Sequence, residues 1–158
     1  MVADVPLPTR AGVRPRTTTC LPHSQLDQQP EDDGVLTAVL DRAGSWPHVG
    51  RQPSRIAVPG SRALVVTSEG DVGPPEAFMV GREFCHGHAG GDHSLHVTLP
   101  VEVARAATLA GWAEPHYLVH EGQAPPTVVM LYAPRDDEEQ SVVRGLVRRS
   151  YEFALTGE

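Results

Sequence analysis

The chain contains no lysine; all 13 of its basic residues are arginines. That absence removes Schiff-base catalysis and the Walker-type phosphate loop, since each needs a lysine amine. Cysteine is nearly absent as well. Cys20 and Cys85 are too few for a disulfide framework or a zinc knuckle. No apolar run approaches the roughly 20 residues that cross a bilayer. Met1 to Leu26 also lacks the apolar core of a secretory signal, so a cytoplasmic protein with no membrane partner is expected. Positive charge is scarce: 20 acidic residues against 13 arginines give a net charge of -7. Arg144, Arg148 and Arg149 form the one basic cluster, on a helical pattern beside acids. With no phosphate-tracking stripe, nucleic acid is not an expected partner.

The 158 residues are room for one domain. Residues 1–32 read as a disordered tail. Pro6, Pro8, Pro15, Pro22 and Pro30 interrupt them, and no apolar period repays the entropy of ordering. The domain is then 33–158. Val35, Leu36, Val39 and Leu40 have helical spacing, with Asp33 as N-cap and Gly44 as stop. Trp46 to Gly60 is rich in Pro and Gly and reads as a loop. Arg62 to Ser68 is a β-prone run, and Glu76 to Leu99 reads as a hairpin turning at Ala89-Gly90-Gly91-Asp92. Pro100 opens a helix with a Val103, Ala106, Ala107, Ala110 stripe, closed by Gly111. Thr127 to Tyr132 is a buried strand. Asp136 to Leu155 is the longest helix, with a capping-box pair Asp136 and Glu139 and an apolar face of Val142, Val143, Leu146, Val147, Ser150 and Phe153. The order predicts an α+β domain: an antiparallel sheet with helices packed mainly on one side. Trp46 and Trp112 read as core anchors.

Six of the eight histidines fall between His86 and His120. Imidazole ligates metals and moves protons near neutral pH. His86 and His88 share a strand face, because side chains repeat every second residue. Whether His96 joins them depends on the parity of the hairpin loop. An even loop sets His88 against His93 and sends His96 to the opposite side. An odd loop sets His86 against His96 and His88 against Ser94, while Leu95 and Val97 share the other face with Cys85 and Gly87. The apolar pattern favours the odd register. Phe84 then stands with the histidines, and Glu83 lies opposite them. A His86, His88, His96 face suits Zn(II), Fe(II) or Cu(II), and exposed or hydrogen-bonded structural histidines are the plain alternative. His93 and His120 read as surface residues. His116 lies in a loop that can fold over the sheet.

The blocks EAFMVGREFCHGH (76–88), SLHVTLP (94–100), GWAEPH (111–116), VVMLYAPRD (128–136) and SYEFA (150–154) together resemble the domain family named for the fungal luciferases. That family is also widespread among small actinobacterial "luciferase family" proteins. The resemblance covers about half the chain and leaves the first 32 residues outside. It implies an oxygen-dependent reaction in which the fungal enzymes oxidise a hydroxylated pyrone without a flavin. It also draws His86, His88, His96, His116, Tyr132 and Arg135 together. The expectation is a small oxygenase acting on a phenolic or enolic molecule, with O2 as co-substrate. His86 or His96 removes the substrate proton and Arg135 holds the developing anion, while His88, His116 and Tyr132 bind substrate. The chain has no flavin or nicotinamide motif, so the cofactor is either absent or one divalent metal on His86, His88 and His96. A metal-dependent hydrolase on the same cluster and a non-catalytic small-molecule-binding module are the alternatives. For Arg135 the plain structural alternative is an ion pair with Asp136 or Glu139; for Tyr132 it is a place at the sheet edge.

Overall fold

A computed structural model describes residues 6–158. Its centre is a six-stranded antiparallel sheet in the order β1-β2-β3-β4-β6-β5. The strands are β1 (Val49–Pro53), β2 (Arg62–Val66), β3 (Glu83–Gly87), β4 (Leu95–Thr98), β5 (Ala113–Pro115) and β6 (Val128–Leu131). Among the described residues four α-helices accompany them: α1 (Gly34–Gly44), α2 (Val101–Leu109), the single turn α3 (Tyr117–His120) and α4 (Asp137–Thr156). This is the α+β arrangement expected from the order of patterns.

One face of the sheet is apolar. Leu95 stands beside Leu131 and Val97 beside Val129, so the pleat presents four aliphatic side chains in two cross-strand pairs. Leu36, Val39 and Leu40 of α1 and Val143, Leu146 and Val147 of α4 close over them in one core. Gly87 is required there by a close approach, since a Cβ on it would stand 2.8 Å from Leu40 Cδ1. At the start of α4, Asp136 accepts a hydrogen bond from Glu139 N at 2.9 Å, and three acids in the first turn suit the positive end of the helix dipole. Glu139 turns its own carboxylate to Arg135 N rather than closing a reciprocal box.

Several expectations are corrected. The Trp46 to Gly60 stretch contains β1, an exposed edge strand. Its Pro53 sits at the strand end, where a missing N–H costs least. β5 and α3 occupy the loop assigned between the second helix and the last strand. On α2 it is Ala104 and Ala107 that are buried, while Ala106 is exposed. Trp46 is half-buried and packs on Tyr151 of α4.

The largest correction concerns the first 32 residues. Residues 1–5 lie outside the described residues. Residues 6–32 lack secondary structure of any length, yet they are bound to the domain. Pro8 O accepts from Trp112 Nε1, and Arg10 N donates to Ala110 O at 2.8 Å. Arg14 caps Ala113 O, and Gln25 Oε1 accepts from Ala133 N at 2.8 Å. Arg10, His23 and Gln25 are buried. Long-range polar contacts, invisible to a search for apolar period, replace the hydrophobic burial that the segment cannot supply.

Two stability measurements check this account. Truncation of buried Leu146 to Ala should cost about 2–5 kcal/mol in urea unfolding; a cost near zero would mean that α4 turns another face inward. Deletion of residues 1–32 should lower the melting midpoint by more than about 5 °C, roughly what one to two kcal/mol costs a domain this size. An unchanged midpoint would restore the disordered tail.

Candidate functional site

The histidines gather on the opposite face of the sheet. His86 pairs with His96, Cys85 with Val97 and Gly87 with Leu95, and His88 N donates to Ser94 O at 2.9 Å. This is the odd register, with five residues, Ala89 to His93, between His88 and Ser94. Gly90, Gly91 and His93 take positive φ values of 81, 88 and 59°. Glycine adopts this region without the Cβ penalty that His93 bears.

A second device changes the parity on β3. Leu64 opposes Cys85 while Val65 opposes Glu83, so Phe84 is an extra residue in a β-bulge. The bulge turns Phe84 into the core beside Tyr151 and brings Glu83 to the histidine face. Glu83 was expected on the other side and Phe84 among the histidines. Strict alternation placed them there, and the bulge reverses both.

The resulting contacts form a network. His86 Nδ1 meets Glu83 Oε1 at 2.7 Å, and His86 Nε2 lies 3.1 Å from His96 Nδ1. His88 Nε2 lies 3.1 Å from the same His96 Nδ1. On its outer side, His88 Nδ1 meets Asp92 Oδ2 at 2.8 Å and Ser94 Oγ at 3.0 Å. Ser94 Oγ gives its hydrogen to Asp92 Oδ1 at 2.6 Å, so towards His88 it can only accept. His86 and His88 therefore carry their ring protons on Nδ1, facing carboxylates, and turn Nε2 lone pairs towards His96. His96 Nε2 is buried without a partner, as is Glu83 Oε2.

Two further imidazoles complete the cluster. His116 lies T-shaped against His96 with ring centroids 4.3 Å apart, and His23 stacks on His96 at 5.4 Å. Leu118 N donates to His116 Nδ1 at 3.0 Å and Tyr117 N to His23 Nδ1 at 3.3 Å. A backbone N–H can only donate, so the neutral rings of His23 and His116 keep their protons on Nε2.

His23, His86, His88, His96 and His116 all line one cleft of about 1120 Å³. The N-terminal segment at Leu21 to Leu26, the Ile56 to Pro59 loop, and Phe78 and Met79 enclose it, with Leu118 to one side. Among the described residues no arginine lines it. Of the residues singled out in the sequence, His86, His88, His96 and His116 are brought together. Tyr132 and Arg135 are not. Tyr132 is buried with the Arg10 guanidinium 5.5 Å from its ring centre, and burial, then Glu114, pushes its phenol up. Arg135 pairs with Glu139 and donates to Ala11 O at 2.8 Å, tying the N-terminal segment to α4. Both follow β6 where the chain leaves the cleft. His120 is exposed as expected, whereas His93 is buried with neither ring nitrogen partnered. Sequence reasoning missed His23, the place of Glu83 beside His86, and the part of Asp92 in holding His88. His23 sits in a stretch with no periodic signal, Glu83 depends on the bulge, and Asp92 reads as a turn residue.

Burial makes His86, His96 and His116 resist protonation. It lowers His86, and His88 lowers it further, against the upward pull of Glu83. His96 is held well below 6.5 by burial and then by His88, His86, His116 and His23. His116 falls to about 4 by burial and by His23. Burial alone would raise Asp92, but hydrogen bonds from His88, Ser94 and Gln25 hold it below its ordinary value. The unfolded chain therefore binds protons that the folded chain refuses, from pH 6.5 down to about 4 for His116. The histidine contribution to stability is complete above pH 6.5 and declines as pH falls through that window. The Asp92 contribution is lost only at more acid pH, below 3.8. The melting midpoint should accordingly fall steadily between pH 7 and 4, and less steeply in His116→Gln. A flat profile would mean that the imidazoles protonate as readily in the folded protein as in the unfolded one.

The family model of the Luciferase domain matches residues 81–150. Luciferases of Armillaria mellea and Armillaria ostoyae are each 26% identical to the chain over 161 aligned positions, covering 91% of this chain and 59% of theirs. The luciferase of Neonothopanus nambi is 38% identical over 71 residues, 44% of this chain and 27% of its own. The chain thus spans 59% of the length of the Armillaria relatives. No solved structure gives a significant match. The segment that matches the Luciferase domain holds Glu83, His86, His88, Asp92, His96 and His116, so all of the cluster but His23 lies where the chain is similar to that family.

Proposed function

We propose that the protein is a small oxygenase that binds a phenolic or enolic molecule in the histidine-lined cleft and adds O2 to it. The observation that carries this reading is the convergence of five imidazoles, from the sheet, the N-terminal segment and the start of α3, on one cleft whose other walls are largely apolar. A flat conjugated ring suits the apolar walls, and its ionisable hydroxyl suits the imidazoles. The fungal relatives, named luciferases, support an oxygen-dependent reaction.

The ionisation of the substrate falls to the face that carries His86 and His96. The hydroxyl proton leaves, and the carbon of the resulting enolate forms a bond to O2, passing it two electrons. The proton then returns to the new peroxide. One substrate and one O2 give one hydroperoxide, and nothing else is consumed. The anion is held by donors, and the cleft offers them at His116 and His23, each with its proton on Nε2. These take the part expected of Arg135, which pairs with Glu139 instead.

Oxygen-electrode measurements on hydroxylated 2-pyrones and catechols test the reading. The protein should consume O2 saturably with at least one of these. His96→Ala should slow that consumption by about 10²–10⁴-fold with an unchanged circular dichroism spectrum. Tight binding without O2 uptake would establish the non-catalytic binding module instead. Neither binding nor uptake across both compound classes would end the proposal.

A further inference from the structure

We infer that His86 Nε2, His88 Nε2 and His96 Nδ1 form a three-nitrogen cage for one divalent transition-metal ion, with Glu83 and Asp92 as its outer carboxylates. The inference rests on the oxygenase reading for its use, since a cation there would acidify a bound hydroxyl. Its evidence is separate.

The ring protons do not suffice for the contacts around His96. His86 and His88 face carboxylates with Nδ1–H, so two lone pairs point at one atom, His96 Nδ1, each from 3.1 Å. A single hydrogen on that atom cannot serve both acceptors fully, and placing it there leaves His96 Nε2 a buried lone pair without a donor. Moving it to Nε2 brings three lone pairs together. A cation satisfies all three at once. Nitrogen ligands held about 2.0–2.1 Å from an ion stand about 2.9–3.4 Å apart, and the two measured separations of 3.1 Å fall in that range.

Two carboxyl groups, Glu83 and Asp92, are buried behind the histidines, and among the described residues no arginine lines the cleft. Carboxylate behind imidazole is the arrangement that fixes the tautomer of a ligating histidine and raises its basicity. A +2 ion in front of the imidazoles balances both carboxylates.

His23, His96 and His116 also bring their ring nitrogens within 4.8 Å of one another. His23 and His116, however, accept backbone N–H bonds at Nδ1, so their Nε2 atoms carry protons and offer no lone pair. That side of His96 donates hydrogen bonds, and only the His86 and His88 side can ligate. Three nitrogens without a carboxylate oxygen among them select Zn(II), Fe(II) or Cu(II) over Mg(II) or Ca(II).

The test uses the full chain produced without a His tag, stripped by a chelator, exposed to excess Zn(II) or Co(II), and desalted. The wild type should retain one ion per chain by elemental analysis and, with Co(II), show a visible d–d spectrum. His88→Ala and His96→Ala should retain less than about a tenth as much, while His116→Ala stays stoichiometric. Should the Ala variants fail to fold, Glu83→Gln and Asp92→Asn carry the test, with metal affinity expected to drop about 10–100-fold. Substoichiometric metal in the wild type overturns the cage, as does loss in His116→Ala with retention in His88→Ala, or unaltered affinity in both carboxylate variants. Retention is read without turnover. A protein that retains no metal after loading yet consumes O2 sinks the cage and keeps the oxygenase, whereas a loaded protein inert to O2 does the reverse.

Discussion

The pairing of His86 with His96 is the constraint on which the rest of the molecule depends. A strand has two faces, and a slip of one residue between β3 and β4 exchanges them. Slipped, the Leu95 and Val97 side chains would leave the helix-covered core for the cleft, each forfeiting about 1.5–3 kcal/mol of burial. His96 would enter an apolar core with no partner for either nitrogen, a further desolvation cost. The apolar and polar faces therefore enforce the same register independently. The connection obeys them at some expense to itself: His93 holds a left-handed backbone, φ 59°, of the kind that costs a residue with a Cβ about 1–2 kcal/mol. Two glycines beside it absorb the remainder of the reversal.

The bulge at Phe84 does for β3 what the loop does for the hairpin. By taking one residue out of alternation, it gives α4 an aromatic side chain to pack on and gives His86 a carboxylate. Neither gain is available on a regular strand, because Glu83 and His86 are an odd number of residues apart. Ser150 Oγ of α4 donates to Phe84 O at 3.1 Å, which supports the displaced backbone from the helix side. One irregularity thus serves both the core and the polar site.

These particulars explain what the sequence made legible. The fold class, the long capped helix and the buried β6 follow from composition and period. The odd register follows from two constraints, the Leu95, Val97 pattern and the parity of a turn, which is why His86, His88 and His96 were found together. Period and parity are local, and where structure is decided by distant partners they are silent. The bulge is set by α4 and β2, so Glu83 fell on the wrong face. The N-terminal segment is held by Trp112, Ala110 and Ala133, more than 75 residues away along the chain, and its want of apolar period read as disorder. Arg135 was grouped with the histidines by family resemblance, but four residues separate it from Glu139 on a helix start. That spacing makes an ion pair the nearer outcome.

The two faces also required different covers. An amphipathic helix can lie on Leu95, Val97, Val129 and Leu131 because it brings only side chains. The histidine face carries polar groups whose desolvation must be offset one by one, and a helix has already spent its backbone donors and acceptors internally. An irregular segment has not. Residues 17–29 offer free backbone and amide groups, and Gln25 uses three of them: its N donates to Asp92, its Nε2 to Asp27 O, and its Oε1 accepts from Ala133 N. A cover of this kind meets the sheet at points instead of along a stripe, and a cleft remains between the points. The imidazoles that line the cleft all lie within residues 81–150, apart from His23. Much of the wall, including Leu21 to Leu26, Ile56 to Pro59, Phe78 and Met79, lies outside that segment. The histidine floor thus lies mostly in the segment that matches the Luciferase domain, whereas much of the wall comes from chain on the N-terminal side of it.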